Sequence, residues 1–197
     1  MAMRTKVQEY PGKKRKLPVR LLFGILGAVL VLVLTTLALS PILANTVQIR
    51  SGAMSPTISI SDTVCVNHLA YLLLPPSRGD IIQFRTSAAD ETAFQAENPL
   101  SIRRIIALPG ETVQITDGKV YINGSPLAED YLSGELAYAG TASSALTLNS
   151  DEYFVMADNR SNNSDSRDST IGPVAGTDII GKVWLRVHPY QAFGLIS

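Results

Sequence analysis

The residues able to do chemistry lie in four short segments of a 197-residue chain. Ser51-Gly52-Ala53-Met54-Ser55-Pro56-Thr57 offers hydroxyls among turn-forming residues. Arg78-Gly79-Asp80-Ile81-Ile82 and Arg103-Arg104-Ile105-Ile106-Ala107-Leu108-Pro109-Gly110-Glu111 place guanidinium groups beside strand-like runs. Ala157-Asp158-Asn159-Arg160-Ser161-Asn162-Asn163-Ser164-Asp165-Ser166-Arg167 interleaves carboxylates with guanidiniums. Asp165 with Arg167 reads as a structural ion pair, and Ser51 by itself as a turn hydroxyl. Cys65 is the sole cysteine, so no intramolecular disulfide forms. Its setting, Thr63-Val64-Cys65-Val66, marks it as a small core residue rather than a reactive thiol. His68 and His188 have no ligand-like spacing to each other or to Cys65, so neither a metal nor a cofactor is expected.

The elements that must position these groups follow from charge and hydropathy. Seventeen basic residues balance seventeen acidic ones. The balance conceals a division: residues 1–20 carry seven basic groups against Glu9 alone, a net +6, which leaves −6 on residues 21–197. Hydrophobic residues make up 46% of the chain and charged ones 17%. That excludes disorder for most of its length and argues against a nucleic-acid partner. No charge occurs in the 29 positions between Arg20 and Arg50. The run LLFGILGAVLVLVLTTLAL, residues 21–39, has no polar face and approaches the ~20 residues that a bilayer span needs. A cleavable signal has a shorter apolar core of ~7–15 residues. Ile42-Leu43-Ala44 is also a poor small-x-small cleavage site, and Pro41 would follow a cut after Ser40. The sequence thus predicts a basic cytoplasmic tail (1–20), a single transmembrane anchor (21–44) and an extracytoplasmic domain (46–197), oriented by the Lys/Arg bias.

Within that domain, β-branched and aromatic runs at residues 62–66, 80–84, 102–107, 112–115, 119–122, 153–156 and 182–186 predict strands. Pro75-Pro76, Pro109-Gly110, Asp117-Gly118 and Asn123-Gly124 punctuate them, and Asp117-Gly118 between two apolar alternations predicts a hairpin. Residues 87–100 and 132–150 read as long loops or insertions. Residues 69–74 read as one helical turn or an exposed apolar loop. The fold class is mainly β and antiparallel, behind one transmembrane helix.

In this order, behind an N-terminal anchor, the four segments resemble the type I signal peptidases, membrane-bound Ser/Lys endopeptidases that release signal peptides. The resemblance runs from about residue 20 to the C-terminus. It implies the signal-peptidase fold, with a serine nucleophile at the Ala53 position and a lysine base at the Arg103 position. It further implies an oxyanion donor at Ser51 and a base-orienting serine at the Asn163 position. Asp158, Asn159, Arg160, Asp165, Ser166 and Arg167 would form the wall of the site. The reacting positions depart from that pattern. A methyl group at Ala53 cannot attack a carbonyl, and a guanidinium does not take up a proton in proteins. Asn163 stands where a serine is implied, and Ala157 where a glycine is usual. Arg103, if buried, needs a carboxylate or several carbonyls within reach, because an unpaired buried charge costs several kcal/mol.

Three readings follow. The first is a naturally inactive homologue that binds signal peptides or supports an active paralogue or the translocation machinery. The second is an active peptidase disabled by substitution at Ala53 and Arg103. Substitutions at Asn163 and Ala157 as well favour natural divergence. The third is an active membrane serine endopeptidase with a relocated site, Ser51 or Ser55 attacking and His68 as base. Moving a nucleophile two residues shifts it ~6–7 Å, far beyond what reaction geometry tolerates. The resemblance implies signal peptides of secretory preproteins and the lipid bilayer as partners. It places the domain on the outer face of a plasma or thylakoid-type membrane; Met54 and residues 69–74 read either as an apolar surface toward the lipid, as the resemblance implies, or as ordinary core.

Overall fold

The computed structural model describes residues 19–43, 45–86 and 100–196, with side chains of the N-terminal helix described at Arg20 and residues 23–36. The chain divides into two compact units, Met1–Leu39 and Ser40–Ser197. In the first, α1 (Val19–Leu43) is a helix of 25 residues. Its described apolar side chains are exposed, Phe23 at 68% and Leu32 at 64% among them. Among the described residues no helix is long and apolar enough to cross a membrane. The run with described side chains, residues 23–36, covers about 21 Å at 1.5 Å per residue, against a hydrocarbon core of ~30 Å. The expected 21–44 span therefore lies partly outside the described residues, as does the basic tail.

The second unit is built from strands. They are β1 (Asn45–Gln48), β2 (Thr63–Asn67), β3 (Ile81–Arg85), β4 (Leu100–Ala107), β5 (Thr112–Thr116) and β6 (Lys119–Ile122). There follow β7 (Ser125–Pro126), β8 (Leu146–Thr147), β9 (Glu152–Met156), β10 (Val174–Ala175), β11 (Ile179–His188) and β12 (Gly194–Leu195). One eight-stranded antiparallel sheet has the order β1-β2-β11-β3-β4-β9-β10, with β12 also on β11. A second, four-stranded sheet has the order β7-β6-β5-β8. Each of the seven predicted strands is present, and each coincides with a run of β-branched or aromatic residues that a pleated, half-buried surface accommodates.

The two-residue hairpins are dictated by their turn chemistry. Asp117 and Gly118 take φ of 49° and 69° between Thr116 and its partner Lys119. Asn123 and Gly124 repeat the arrangement at 49° and 80° before β7. Positive φ at both central positions matches the right-handed twist of the flanking strands, which is why Asp-Gly and Asn-Gly occur there. Residues 87–99 lie outside the described set. The 132–150 segment, expected as loop, holds a short 3-10 turn (Gly140–Ala142) and β8. Residues 69–74 form turns and bends, with Leu72, Leu73 and Leu74 exposed at 72–90%, so of the two options the exposed loop holds. Cys65 is buried and free, and burial pushes its thiol above the ordinary value.

Strand β4 lies at the centre of the site's framework, seven of its eight residues being buried. Directly paired residues share a face, so the register sorts its side chains. Ile82 pairs with Arg103, and Gln83 with Ile102. Ile102 and Ile81 join the apolar cluster that also contains Ile49, Met54 and Ile58 from the Ser51–Thr57 region. Ile82 and Ile105 face a different cluster with Phe84 and Val155. Met54 is thus core, not surface.

Candidate functional site

Three chain segments converge. The loop after β1 carries Ser51, Ala53 and Thr57; β4 carries Arg103 and Arg104; and the loop after β9 carries residues 157–167. Ala53 is buried. Its backbone N–H donates to Ser51 Oγ at 3.2 Å, and its carbonyl accepts the Asn159 N–H at 2.9 Å. The Ser51 hydroxyl therefore closes a small turn over the amide that an oxyanion would need. An amide held this way is available to a ligand only if that turn opens.

Arg103 is fully buried. Its Nε and Nη2 donate to the Ser164 carbonyl at 2.9 and 2.6 Å, and Nη1 donates to the Ile102 carbonyl at 2.7 Å. Of the carboxylate or several carbonyls expected around this guanidinium, the carbonyls of Ser164 and Ile102 are in place. Counting along the motif assigned the base-orienting role to Asn163, but that residue is exposed and it is Ser164 that reaches Arg103. The Asn163 carbonyl instead accepts the Asp165 N–H at 2.8 Å, so the turn points its side chain outward. One loop thus touches both Ala53, through Asn159, and Arg103, through Ser164.

The wall is a network of buried charges. Arg104 makes a two-pronged pair with Asp158, Nε to Oδ1 and Nη2 to Oδ2, each at 2.8 Å. Thr57 Oγ1 donates to the same Oδ2 at 2.6 Å, which ties the Ser51–Thr57 loop to the wall. Arg104 Nη1 donates to the Gly79 carbonyl at 2.9 Å, which gives the Arg78-Gly79-Asp80 segment its part in the site. Burial alone would lower the Arg104 guanidinium. The hydrogen bonds and charge of Asp158 outweigh it and hold the group above its ordinary value. Asp165 receives the Ala157 N–H at 2.9 Å and pairs with Arg167 through both oxygens, at 2.9 and 2.7 Å. Arg167 also donates to the carbonyls of Arg160, Tyr138 and Asn162. Ser166 Oγ accepts the Val155 N–H at 3.0 Å, which locks the loop onto β9. Such pairs satisfy buried charges that would otherwise be prohibitive.

A further contributor was not visible among the motifs. Residues 129–133 form a strap across the wall. Tyr131 lies under the Arg104 guanidinium, 4.0 Å from its Cζ, and its hydroxyl donates to Glu129 at 2.7 Å. Glu129 in turn pairs with the buried Arg160. Burial first, then the hydrogen bond and charge of Glu129, push the Tyr131 phenol well above its ordinary range. Ser133 bridges both loops: its N–H donates to the Asp158 carbonyl at 3.0 Å and its Oγ to the Ser55 carbonyl at 2.6 Å. Its backbone bends at residues 130 and 131 instead of running as a strand, so no period-two pattern marks it in the sequence. Among the described residues no group of His, Cys, Asp or Glu gathers to hold a metal.

A profile for the family described as "Signal peptidase, peptidase S26" matches residues 22–188. The chain is 36% identical over 162 residues to a signal peptidase I of Leptolyngbya laminosa, covering 82% of this chain and 77% of that one. It is 30% identical over 193 residues to a probable signal peptidase I-2 of Synechocystis sp., covering 97% and 84%. A crystal structure of a signal peptidase I from Enterococcus faecalis V583 is 33% identical, covers 55% of this chain and 96% of its own, and superposes with a TM-score of 0.42. The protein therefore belongs to the S26 signal peptidase family.

Proposed function

We propose that this chain is a membrane-anchored member of the family that binds signal-peptide C-regions as extended segments without cutting them. One observation carries the reading: the wall network is complete, while Ala53 and Arg103 occupy the two reacting positions. Acyl transfer needs an atom that attacks and a group that accepts its proton. A methyl and a guanidinium supply neither. Recognition of an extended peptide by strand edges and shallow pockets needs no nucleophile. The relocated alternative finds little support, because Ser51 Oγ is engaged with the Ala53 amide and the buried Nε2 of His68, the base it would use, bonds to no serine.

The anchor belongs to the same proposal. Twenty-nine uncharged positions and a 25-residue helix backbone, about 37 Å long, fit a single span with the +6 tail in the cytoplasm. The domain then faces the side on which secretory signal peptides emerge, and the exposed residues 72–74 face the lipid. An active paralogue or the translocation machinery would complete the pathway.

The test mixes the purified full chain in detergent with a preprotein carrying an Ala-x-Ala site. Binding at micromolar concentration without cleavage is expected. Specific cleavage overturns inactivity, and its loss in Ser51→Ala or Ser55→Ala would identify a relocated nucleophile. Absence of binding at high micromolar concentration removes the receptor reading. Ala53→Ser with Arg103→Lys, and Asn163→Ser added, asks whether chemistry alone was lost. Recovered proteolysis is the expected result if the turn at Ser51 opens for a substrate.

A further inference from the structure

The Ser51–Thr57 loop is tied to the rest of the domain at a few points, and a residue outside the sequence motifs organises most of them. On the wall side, the Asn159 N–H donates to the Ala53 carbonyl at 2.9 Å and Thr57 Oγ1 donates to Asp158 Oδ2 at 2.6 Å. From β11, Arg186 donates to the Thr57 carbonyl. Ser133, in the strap, engages its N–H, its carbonyl and its hydroxyl at once. The N–H donates to the Asp158 carbonyl at 3.0 Å and the carbonyl accepts the Arg160 N–H at 2.7 Å, while a parallel bridge pairs the residue with Asn159. The hydroxyl goes to the loop itself, donating to the Ser55 carbonyl at 2.6 Å.

The next residue explains how the strap comes so near. Gly134 takes φ of 74°, and a Cβ there would lie 2.6 Å from Ser161 Oγ and 2.8 Å from Asn159 Oδ1. A side chain would push the strap off the wall loop, and glycine takes that φ without strain. The backbone of Ser133 therefore fixes the strap to Asp158 and Arg160, and the hydroxyl carries that fixed position to Ser55, just past Ala53. Removing the hydroxyl leaves the strap in place and releases only the loop. The tie does not close the Ala53 amide: that amide is covered by Ser51 Oγ, which can swing away while the Ser55 carbonyl stays bound.

We propose that Ser133 is a positioning residue for peptide binding, its hydroxyl holding the Ser51–Thr57 loop in the place a docking peptide requires; the idea depends on the receptor reading above. Ser133 touches no peptide and acts through Ser55. A loop already ordered by the strap loses little further freedom when an extended segment lies down beside it, whereas an untied loop must be ordered in the act of binding. The hydroxyl thus contributes to affinity by preorganisation, and its removal weakens binding more than it weakens the fold.

The experiment measures fluorescence-anisotropy affinities of the full chain in detergent for an Ala-x-Ala peptide, with a melting temperature for each variant. Ser133→Ala is expected to bind about tenfold more weakly, the value of one net hydrogen bond near its upper range. Ser133→Thr, which keeps the hydroxyl, should bind like the parent. Thr141→Val is the structural control: Thr141 Oγ1 donates to the Ser166 carbonyl at 2.7 Å, a bond of the same kind that leaves the Ser51–Thr57 loop alone. It should melt lower, as Ser133→Ala does, and bind like the parent. Hydrogen exchange of the free chain should quicken in Ser133→Ala at the Ser55 and Ile58 amides, which bond within the loop, and stay unchanged along β9. Parent-like or tighter binding by Ser133→Ala overturns the inference and leaves the receptor reading intact. Weakening of Ser133→Thr to the level of Ser133→Ala, or equal weakening of Thr141→Val, does the same. So does loss of the cooperative melting transition in Ser133→Ala, which makes the hydroxyl a requirement of folding. No peptide binding by the parent overturns the receptor reading and this inference with it.

Discussion

The charged wall of the site and the neighbouring pair Ala53 and Arg103 are built to different standards. Arg104–Asp158, Arg160–Glu129 and Arg167–Asp165 are charge pairs with geometric fit, each tied to further carbonyls or hydroxyls. Ala53 and Arg103 instead touch their surroundings through backbone amides and carbonyls: Ala53 through its own N–H and carbonyl, Arg103 through the carbonyls of Ile102 and Ser164. The difference separates what folding requires from what chemistry requires. A buried carboxylate stripped of its guanidinium destabilises the domain, so the wall is retained by stability. On the proposed reading, loss of a nucleophile or of its base would cost turnover and not stability, so those two positions would be free to drift.

The sharpest way to break that contrast is Asp158→Ala. The variant leaves Arg104 buried and without its charge partner, and Thr57 without its acceptor. A loss of about 3–5 kcal/mol is expected, read from equilibrium urea denaturation of the full chain in detergent. A loss below about 1 kcal/mol would mean that the wall is dispensable to the fold.

Next in size is Arg103→Met. Removing the guanidinium leaves the Ser164 and Ile102 carbonyls to find other donors, a cost of about 1–3 kcal/mol, partly returned by the well-packed apolar chain. Should this variant cost as much as Asp158→Ala, Arg103 belongs to the structural frame together with the wall. The same denaturation experiment decides it.

These two residues also mark how far sequence alone could reach. The need for carbonyls around Arg103 was legible, because a buried guanidinium has only a few affordable surroundings. Asp165 with Arg167 was legible because the two lie two residues apart in one turn. The strands were legible wherever β-branched residues ran for four or more positions, and the hairpins wherever Asp-Gly or Asn-Gly set φ. The pairing of Arg160 with Glu129 was not, since 31 residues separate them and only tertiary packing joins them. The same holds for β7, β8, β10 and β12, two residues each, whose ladders are imposed by their neighbours. That Asn163, the base-orienting position the resemblance implies, is exposed has a local reason. Motif counting fixes order along the chain, whereas the turn decides which of two adjacent residues faces inward, and here it turns the Ser164 carbonyl in.

The strap gives a smaller and more discriminating test. Tyr131→Phe keeps the ring beneath Arg104 and deletes the hydroxyl bonded to Glu129, for an expected loss of about 0.5–1.5 kcal/mol. Tyr131→Leu also removes the ring's attraction for the guanidinium and should lose about 0.5–2 kcal/mol more. If the two variants melt together, the ring contributes only bulk, and the wall ends at Asp158.

The gentlest probe is alkaline pH. Burial first, then Glu129, raises the Tyr131 phenol; burial first, then Asp80, raises that of Tyr71, whose hydroxyl donates to Asp80 at 3.1 Å. In the unfolded chain both titrate near the ordinary value of about 10. Above that pH the native state keeps protons that the unfolded state has released, so stability falls as pH rises, and it is fully present below. Tyr71 and Tyr131 should therefore stay silent in phenolate absorbance while the circular dichroism remains native, with Tyr153, also raised by burial, lagging behind the ordinary value, and then appear in a step as the domain unfolds. Replacing both by Phe should shrink that step and flatten the dependence of the urea midpoint on pH above about 10. Tyr131→Phe alone, on the wall, and Tyr71→Phe alone, beside Asp80, apportion the effect between the two sites. A single smooth titration of all seven tyrosines near the ordinary value, with the fold intact, would show that neither phenol is held by its carboxylate and would detach the strap from the network that distinguishes the wall from Ala53 and Arg103.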